Sequence, residues 1–195
     1  MNPYTSTDIK GLKPNINWFP DTIPNGTEGT RYAGLTSAQI IDRVVTYDDY
    51  FVIVAHGTER SIINKENQHL SPGVAADTIY AKGYNFDKTI LLLSCSTGAH
   101  PNGFAQMLAN NLEVIRRNMW CNAEETYVKV LAPEQILIFT YNPHKDSHTL
   151  GYYTILFPMY IPYVGEDGMP HEKTEFYKEV KEISINELKV FTPVL

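Results

Sequence analysis

The chain has 195 residues, 43% of them hydrophobic and 19% charged, with a formal net charge of −6. This balance excludes a disordered chain. It leaves no basic excess to neutralise phosphates, so neither nucleic acid nor an anionic membrane is expected as a partner. Two cysteines, Cys95 and Cys121, make no disulfide framework.

The opening "MNPYTSTDIKGLKPN" lacks an apolar core, so no ordinary secretory leader is expected. No run reaches the roughly 18 apolar residues of a membrane span. A cytoplasmic chain fits, and so does one exported by a dedicated secretion system. Residues 1–34, rich in Pro, Gly, Asn and Thr, read as an arm. "SAQIIDRVV", 37–45, reads as a helix with Thr36 or Ser37 as its N-cap. "YFVIVA", 50–55, is apolar throughout, as expected of a strand covered on both faces. "TERSIINKENQHL" is a polar loop with room for a small hairpin. "SPGVAADTIYAKGY" carries Ser71 as N-cap, Pro72 at the first helical position and Gly83 as C-cap.

"TILLLS", 89–94, is a second continuous apolar strand, and "NGFAQMLANNLEVIRR" is a second helix. "TYVKVLAP", 126–133, alternates like a strand. "QILIFTY" and "GYYTILFPMYI" add strands, the latter broken by Pro158 and Pro162, and "GEDG", 165–168, is a turn. The tail "EKTEFYKEVKEISINELKVF" reads as a charged helix and a last strand. Alternation of strands and helices predicts parallel strands with right-handed crossovers. The expected fold is a single α/β domain over 1–195: a three-layer α/β/α sandwich on a mainly parallel sheet. Extra edge strands belong to a C-terminal extension, 150–195.

Both apolar strands end on a reactive residue, His56 in "VAHGT" and Cys95 in "LSCSTG". In open parallel sheets, reactive groups sit beyond the carboxyl ends of the strands. Neighbouring strands lie about 4.8 Å apart, so adjacency would bring imidazole and thiol together. A cysteine beside a histidine is expected to have a depressed thiol pKa and a nucleophilic thiolate. The imidazole would act as acid and base. The amides of Gly57 and Cys95 are candidate oxyanion donors.

At these residues the chain resembles the caspase-like (clan CD) cysteine peptidases, in which one apolar strand ends in His-Gly and a later one in the nucleophilic Cys. It is most similar to the autoprocessing protease domains of bacterial toxins and related effector domains. "HLSPGVAADTI" and "GFAQMLANNL" are similar to the segments between and after the two catalytic residues in that group. The resemblance, over residues 47–133, implies a caspase-like sheet and cleavage of a protein or peptide, in itself or in a target. His56 would be the acid/base and Cys95 the nucleophile. No cofactor is expected. Ser96 stands where caspases commonly have an arginine. Asp21 is the candidate for a residue orienting the histidine. Alternatives are a catalytically silent caspase-like binding module and another Cys-His acyl-transfer enzyme such as a deamidase.

The G-x-S-x-G elbow and the glycine-rich phosphate loops are missing from the sequence. His144 and His148, with Asp146 between them, have i, i+4 spacing, but Asn-Pro and Ser favour a loop there, and no metal is expected. Tyr141, Tyr152, Tyr153, Tyr160 and Tyr163 are equally explained by a groove and by strand packing. The primary substrate pocket is expected against residues 126–150, with Lys129, Glu134 and Lys145 as charges and no arginine. Arg31, Arg43 and Arg60 lie elsewhere in the chain, so an uncharged residue before the scissile bond is expected.

Overall fold

Ten consecutive ladder partners at the centre of the molecule are almost all apolar. They form β2 (Tyr50–Val54) and β6 (Thr89–Leu93), paired in parallel from Tyr50↔Thr89 to Val54↔Leu93. A computed structural model describes residues 14–18, 50–119, 127–142, 147–183 and 185–194. The expected helix at 37–45, Asp21, Arg31, Arg43, Cys121, His144, Lys145 and Asp146 lie outside the described residues, as does most of the 1–34 arm.

Around β2 and β6, β1 (Ile16–Asn17) joins in parallel beside β2, and β7 (Val130–Ala132) in parallel beside β6. β11 (Lys189–Phe191) closes the far edge antiparallel to β7, giving the order β1-β2-β6-β7-β11. The protein is thus mixed α/β with a mainly parallel five-stranded sheet. A small antiparallel sheet follows β2: β3 (His56–Gly57), β4 (Ile62–Ile63) and β5 (His69–Leu70). The polar loop after His56 is therefore the hairpin its composition allowed.

The period of two along β2 and β6 sends alternate residues to opposite faces. Phe51, Ile53, Ile90 and Leu92 face one core with Val130, Ala132 and both helices. These are α1 (Pro72–Ala81), which contributes Ala75, Ala76 and Ile79, and α2 (Phe104–Met119), which contributes Phe104, Leu108 and Leu112. Val52, Val54, Leu91 and Leu93 face the other side. There Leu137, Ile183 and Leu188 cover them. α1 starts as its sequence predicts: Ser71 Oγ accepts from Val74 N, and Pro72 occupies the first turn, where it has no helical bond to lose. Gly83, with φ of +95°, ends it in a conformation costly for any other residue.

The second sheet departs from expectation. β8 (Leu137–Asn142), β9 (Ser147–Val164) and β10 (Pro170–Ile183) form an antiparallel meander in the order β10-β9-β8. The charged segment expected to be helical is strand β10, paired with β9 from Pro170↔Val164 to Ile183↔Leu150. Its Glu/Lys content favours a helix locally, but pairing with a strand rich in Tyr, Ile and Phe overrides that propensity. Pro158 and Pro162 do not break β9. β8 pairs only with Ser147–Tyr152, so beyond Tyr152 one side of β9 has no ladder in this sheet to interrupt. A register shift between Tyr177 and Lys178, close to Pro158, takes up the remaining misfit. The GEDG turn closes the hairpin, with Gly165 N donating to Met169 O at 3.0 Å and Gly168 at φ +74°.

One buried charge cluster pins α2 to the sheet. The Glu113 carboxylate is fully buried. It accepts from Arg116 at 2.9 and 2.6 Å and from Arg117 at 2.9 Å, and Val128 N approaches it at 3.5 Å on the way into β7. The Arg116 hydrogen bonds hold the Glu113 carboxyl below its ordinary range despite burial. Removing one partner of a buried pair costs far more than the pair contributes. Glu113→Ala is therefore expected to destabilise the fold by about 3–5 kcal/mol in urea melts. A Glu113→Leu/Arg116→Met double replacement should recover most of that loss.

Candidate functional site

The β2–β6 register has an offset of 39, since Val54 partners Leu93. His56 and Cys95 are also 39 apart, so they occupy matched positions two residues beyond the paired ends. The ladder runs on toward them through Ala55 N, which donates to Leu93 O at 3.3 Å. Cys95 packs on the same core as Leu91 and Leu93. The two sequence-predicted residues thus share one sheet end. His56 is exposed there and Cys95 half-buried.

The loop carrying Cys95 is clamped on both flanks. Ser96 N donates to Gln135 O at 3.0 Å and Gly98 N to Pro133 O at 2.8 Å, tying it to the β7–β8 connection. Thr97 Oγ1 donates to Ser94 O at 2.9 Å, and Thr97 O accepts from Ala105 N at 3.1 Å at the start of α2. These bonds hold Ser96 at φ +56°, a left-handed conformation that a serine adopts only when its surroundings impose it. The strained residue directly follows Cys95.

Gly57 is required by close approach. A Cβ there would collide with Ser94 Oγ and lie 2.9 Å from Thr97 Cγ2 and 3.1 Å from Cys95 O. Its amide has a defined direction. Thr58 N donates to Ser61 O at 2.9 Å. Hydrogen-bonded and non-bonded pairs alternate in an antiparallel ladder, so the Gly57↔Ile62 pair is non-bonded and the Gly57 N–H turns away from β4.

The electrostatics overturn one expectation. Burial pushes the Cys95 thiol up rather than down, and its Sγ donates to Leu137 O at 3.7 Å. Burial also lowers the His56 imidazole. Desolvation disfavours both charged forms, so the resting pair is neutral thiol and neutral imidazole, not thiolate and imidazolium.

Beside the thiol opens a cleft of about 570 Å³ lined by Gly57, Thr58, Glu59, Arg60, Cys95, Ser96 and Ile136. Of the wall expected at 126–150 it uses Ile136 but neither Lys129 nor Glu134, whose carboxylate pairs with Lys189 at 2.8 Å. Arg60 lines the cleft, so the premise for an uncharged substrate residue is withdrawn. The signal was present in "HGTERS": a two-residue turn after a strand-ending histidine returns its corner residues to the strand end. Tyr152 packs into the core and Tyr163 stacks on His171 at the hairpin tip, 5.6 Å between ring centroids, so these two share no groove. The side chains of Tyr141, His148, Tyr153 and Tyr160 lie outside the described part of the molecule.

A family model described as "Domain of unknown function (DUF8616)" matches residues 17–151, more than half of the chain. No curated protein and no solved structure matches it.

Two outcomes follow from the geometry. Iodoacetamide labelling of Cys95, read by mass spectrometry against pH, should show a midpoint above the ordinary thiol value of about 8.5. A midpoint near 7 or below would contradict the neutral pair. Gly57→Ala should push the Ser94–Thr97 loop away, lowering thermal stability and changing the Cys95 labelling rate together.

Proposed function

The chain belongs to the DUF8616 family of unknown function, and from its own site we propose that it is a cysteine endopeptidase with His56 and Cys95 as its catalytic dyad. The observation carrying this reading is the shared 39-residue offset of the β2–β6 register and of the two residues. The mainly parallel sheet supports a caspase-like form of the fold; both described helices pack on one face, so the third layer of an α/β/α sandwich would have to come from outside the described residues. A toxin or effector domain acting on itself or on a target protein is the setting proposed, in the cytoplasm or after export by a dedicated secretion system. Among the described residues, no helix is long and apolar enough to cross a membrane.

The neutral resting pair sets the chemistry. Cys95 Sγ attacks the substrate carbonyl carbon while its proton passes to His56. The oxyanion that forms is held by the N–H groups of Gly57 and Cys95. His56 returns the proton to the leaving amine as the C–N bond breaks, leaving a thioester on Cys95. Water then attacks the thioester and gives its proton to His56. The second proton transfer regenerates the thiol and releases the carboxylic acid.

The raised thiol and its hydrogen bond to Leu137 O favour one rival, a catalytically silent binding module on the same scaffold. A deamidase would use the same acyl chemistry on a side-chain amide.

Cleavage of a denatured protein mixture, read by mass spectrometry of new N-termini, separates these readings. The endopeptidase reading expects new termini with wild type and none with Cys95→Ala or His56→Ala, both variants remaining folded. New carboxylates on Gln or Asn without new termini would assign a deamidase; neither product would assign the silent module. The pH profile has a defined sign. His56 must be neutral to accept the proton, so activity rises with pH through a value depressed below the ordinary 6.5 or so. It falls only where Cys95 loses its proton, above about 8.5. A basic limb below about 8 would sink the general-base mechanism.

A further inference from the structure

The cleft beside Cys95 has one feature that the dyad does not use. Its rim is the tight turn Thr58–Ser61, and that turn is held unusually firmly. Thr58 Oγ1 accepts from Arg60 N at 3.2 Å and Ser61 N at 3.1 Å. Glu59 O accepts from Phe104 N, at the start of α2, at 2.8 Å. This contact depends on Gly103, where a Cβ would stand 3.0 Å from Glu59 O. The Glu59 carboxylate is drawn aside to His100 Nε2 at 2.8 Å. Arg60 sits at the corner of this fixed turn and lines the same cleft as Cys95. Among the described residues no ion pair holds its guanidinium. Opposite, Ile136 adds an exposed apolar surface to the lining.

We propose that Arg60 is a specificity-determining residue that selects, at the cleft beside Cys95, a substrate residue with an acidic side chain. The inference rests on the peptidase reading of the site and names its substrate class. A guanidinium presents paired N–H donors that match a carboxylate, and Ile136 offers apolar contact to the methylenes of an aspartate or glutamate. The Glu59–His100 contact engages the neighbouring carboxylate that would otherwise compete for Arg60. Because Arg60 is exposed, the selection is of surface ion-pair strength, about fivefold at most, and is screened by salt.

The test uses the full chain and acetyl-Ala-Ala-X chloromethyl ketones with X as Glu, Gln, Asp or Asn. The readout is the rate of covalent addition to Cys95 by mass spectrometry. In about 50 mM salt the acidic probes should react about three- to fivefold faster than their amide isosteres. At about 1 M salt, where the screening length is about 3 Å, the ratio should approach one. Arg60→Gln should remove the ratio. Arg60→Glu should invert it. Equal rates in wild type, or a ratio that survives Arg60→Gln, overturns the proposal. Failure of the peptidase reading is separate: it is an Arg60-dependent labelling ratio with no protein cleavage. Cleavage with no such ratio overturns Arg60 selection alone, and failure of every probe to label Cys95 overturns both.

Discussion

The parallel pairing of β2 with β6 is the constraint from which the site follows. A parallel pair has no turn to set its register, so the register is set by burial. Sliding β2 by a single residue would carry Val52 and Val54 from one core to the other, and sliding β6 would do the same to Leu91 and Leu93. Both faces of these strands are covered, and neither slip nor inversion leaves an apolar surface matched to its neighbours. The alignment of His56 with Cys95 is inherited from that packing and needs no contact between the two residues to maintain it.

Rigidity around the thiol comes from elsewhere. The β7–β8 connection and the first turn of α2 grip the Cys95 loop through Gln135, Pro133 and Ala105, and α2 also grips the Thr58–Ser61 turn through Phe104. One helix end therefore positions both walls of the cleft. The buried Glu113–Arg116 cluster ties the same helix to the approach to β7. The charged network thus sits on the same helix whose first turn holds the Cys95 loop. C-terminal to the family match, the β11 segment adds another tie: Gln106 Nε2 donates to Thr192 O at 2.7 Å.

How much of this was legible depended on where the information lay. The central strands and both helices were readable because their patterns are locally consistent: continuous apolar runs bounded by His-Gly and Cys-Ser, and a Ser-Pro start matched to a glycine stop. The matched placement of His56 and Cys95 was readable because they follow strands of the same kind. Strand β10 was not, because Glu and Lys at helical spacing say nothing of a partner strand that lies ahead of them in the chain. The prolines of β9 misled for the same reason, since whether a proline breaks a strand depends on what is paired at that position. The thiol's raised pKa was equally hidden. It follows from the closure of Leu137 and the second core over Cys95, a contact 42 residues distant in sequence. Arg60 was visible as a letter, but its place depended on a two-residue turn and on that turn's docking onto α2, which lies 44 residues further along the chain.

The β9–β10 hairpin has a consequence of another kind. Fourteen pairs at about 3.4 Å each would span on the order of 45 Å if straight. An extension of that length would normally be a polymerisation hazard, since each open edge invites a further strand. On β10, Glu172 and Lys181 are exposed, so a second copy laid beside it would meet a charge near each end. Beyond Tyr152 the outer edge of β9 has prolines at 158 and 162, and a proline has no amide hydrogen to offer an incoming strand. An incoming strand would therefore find no amide donor at those two positions.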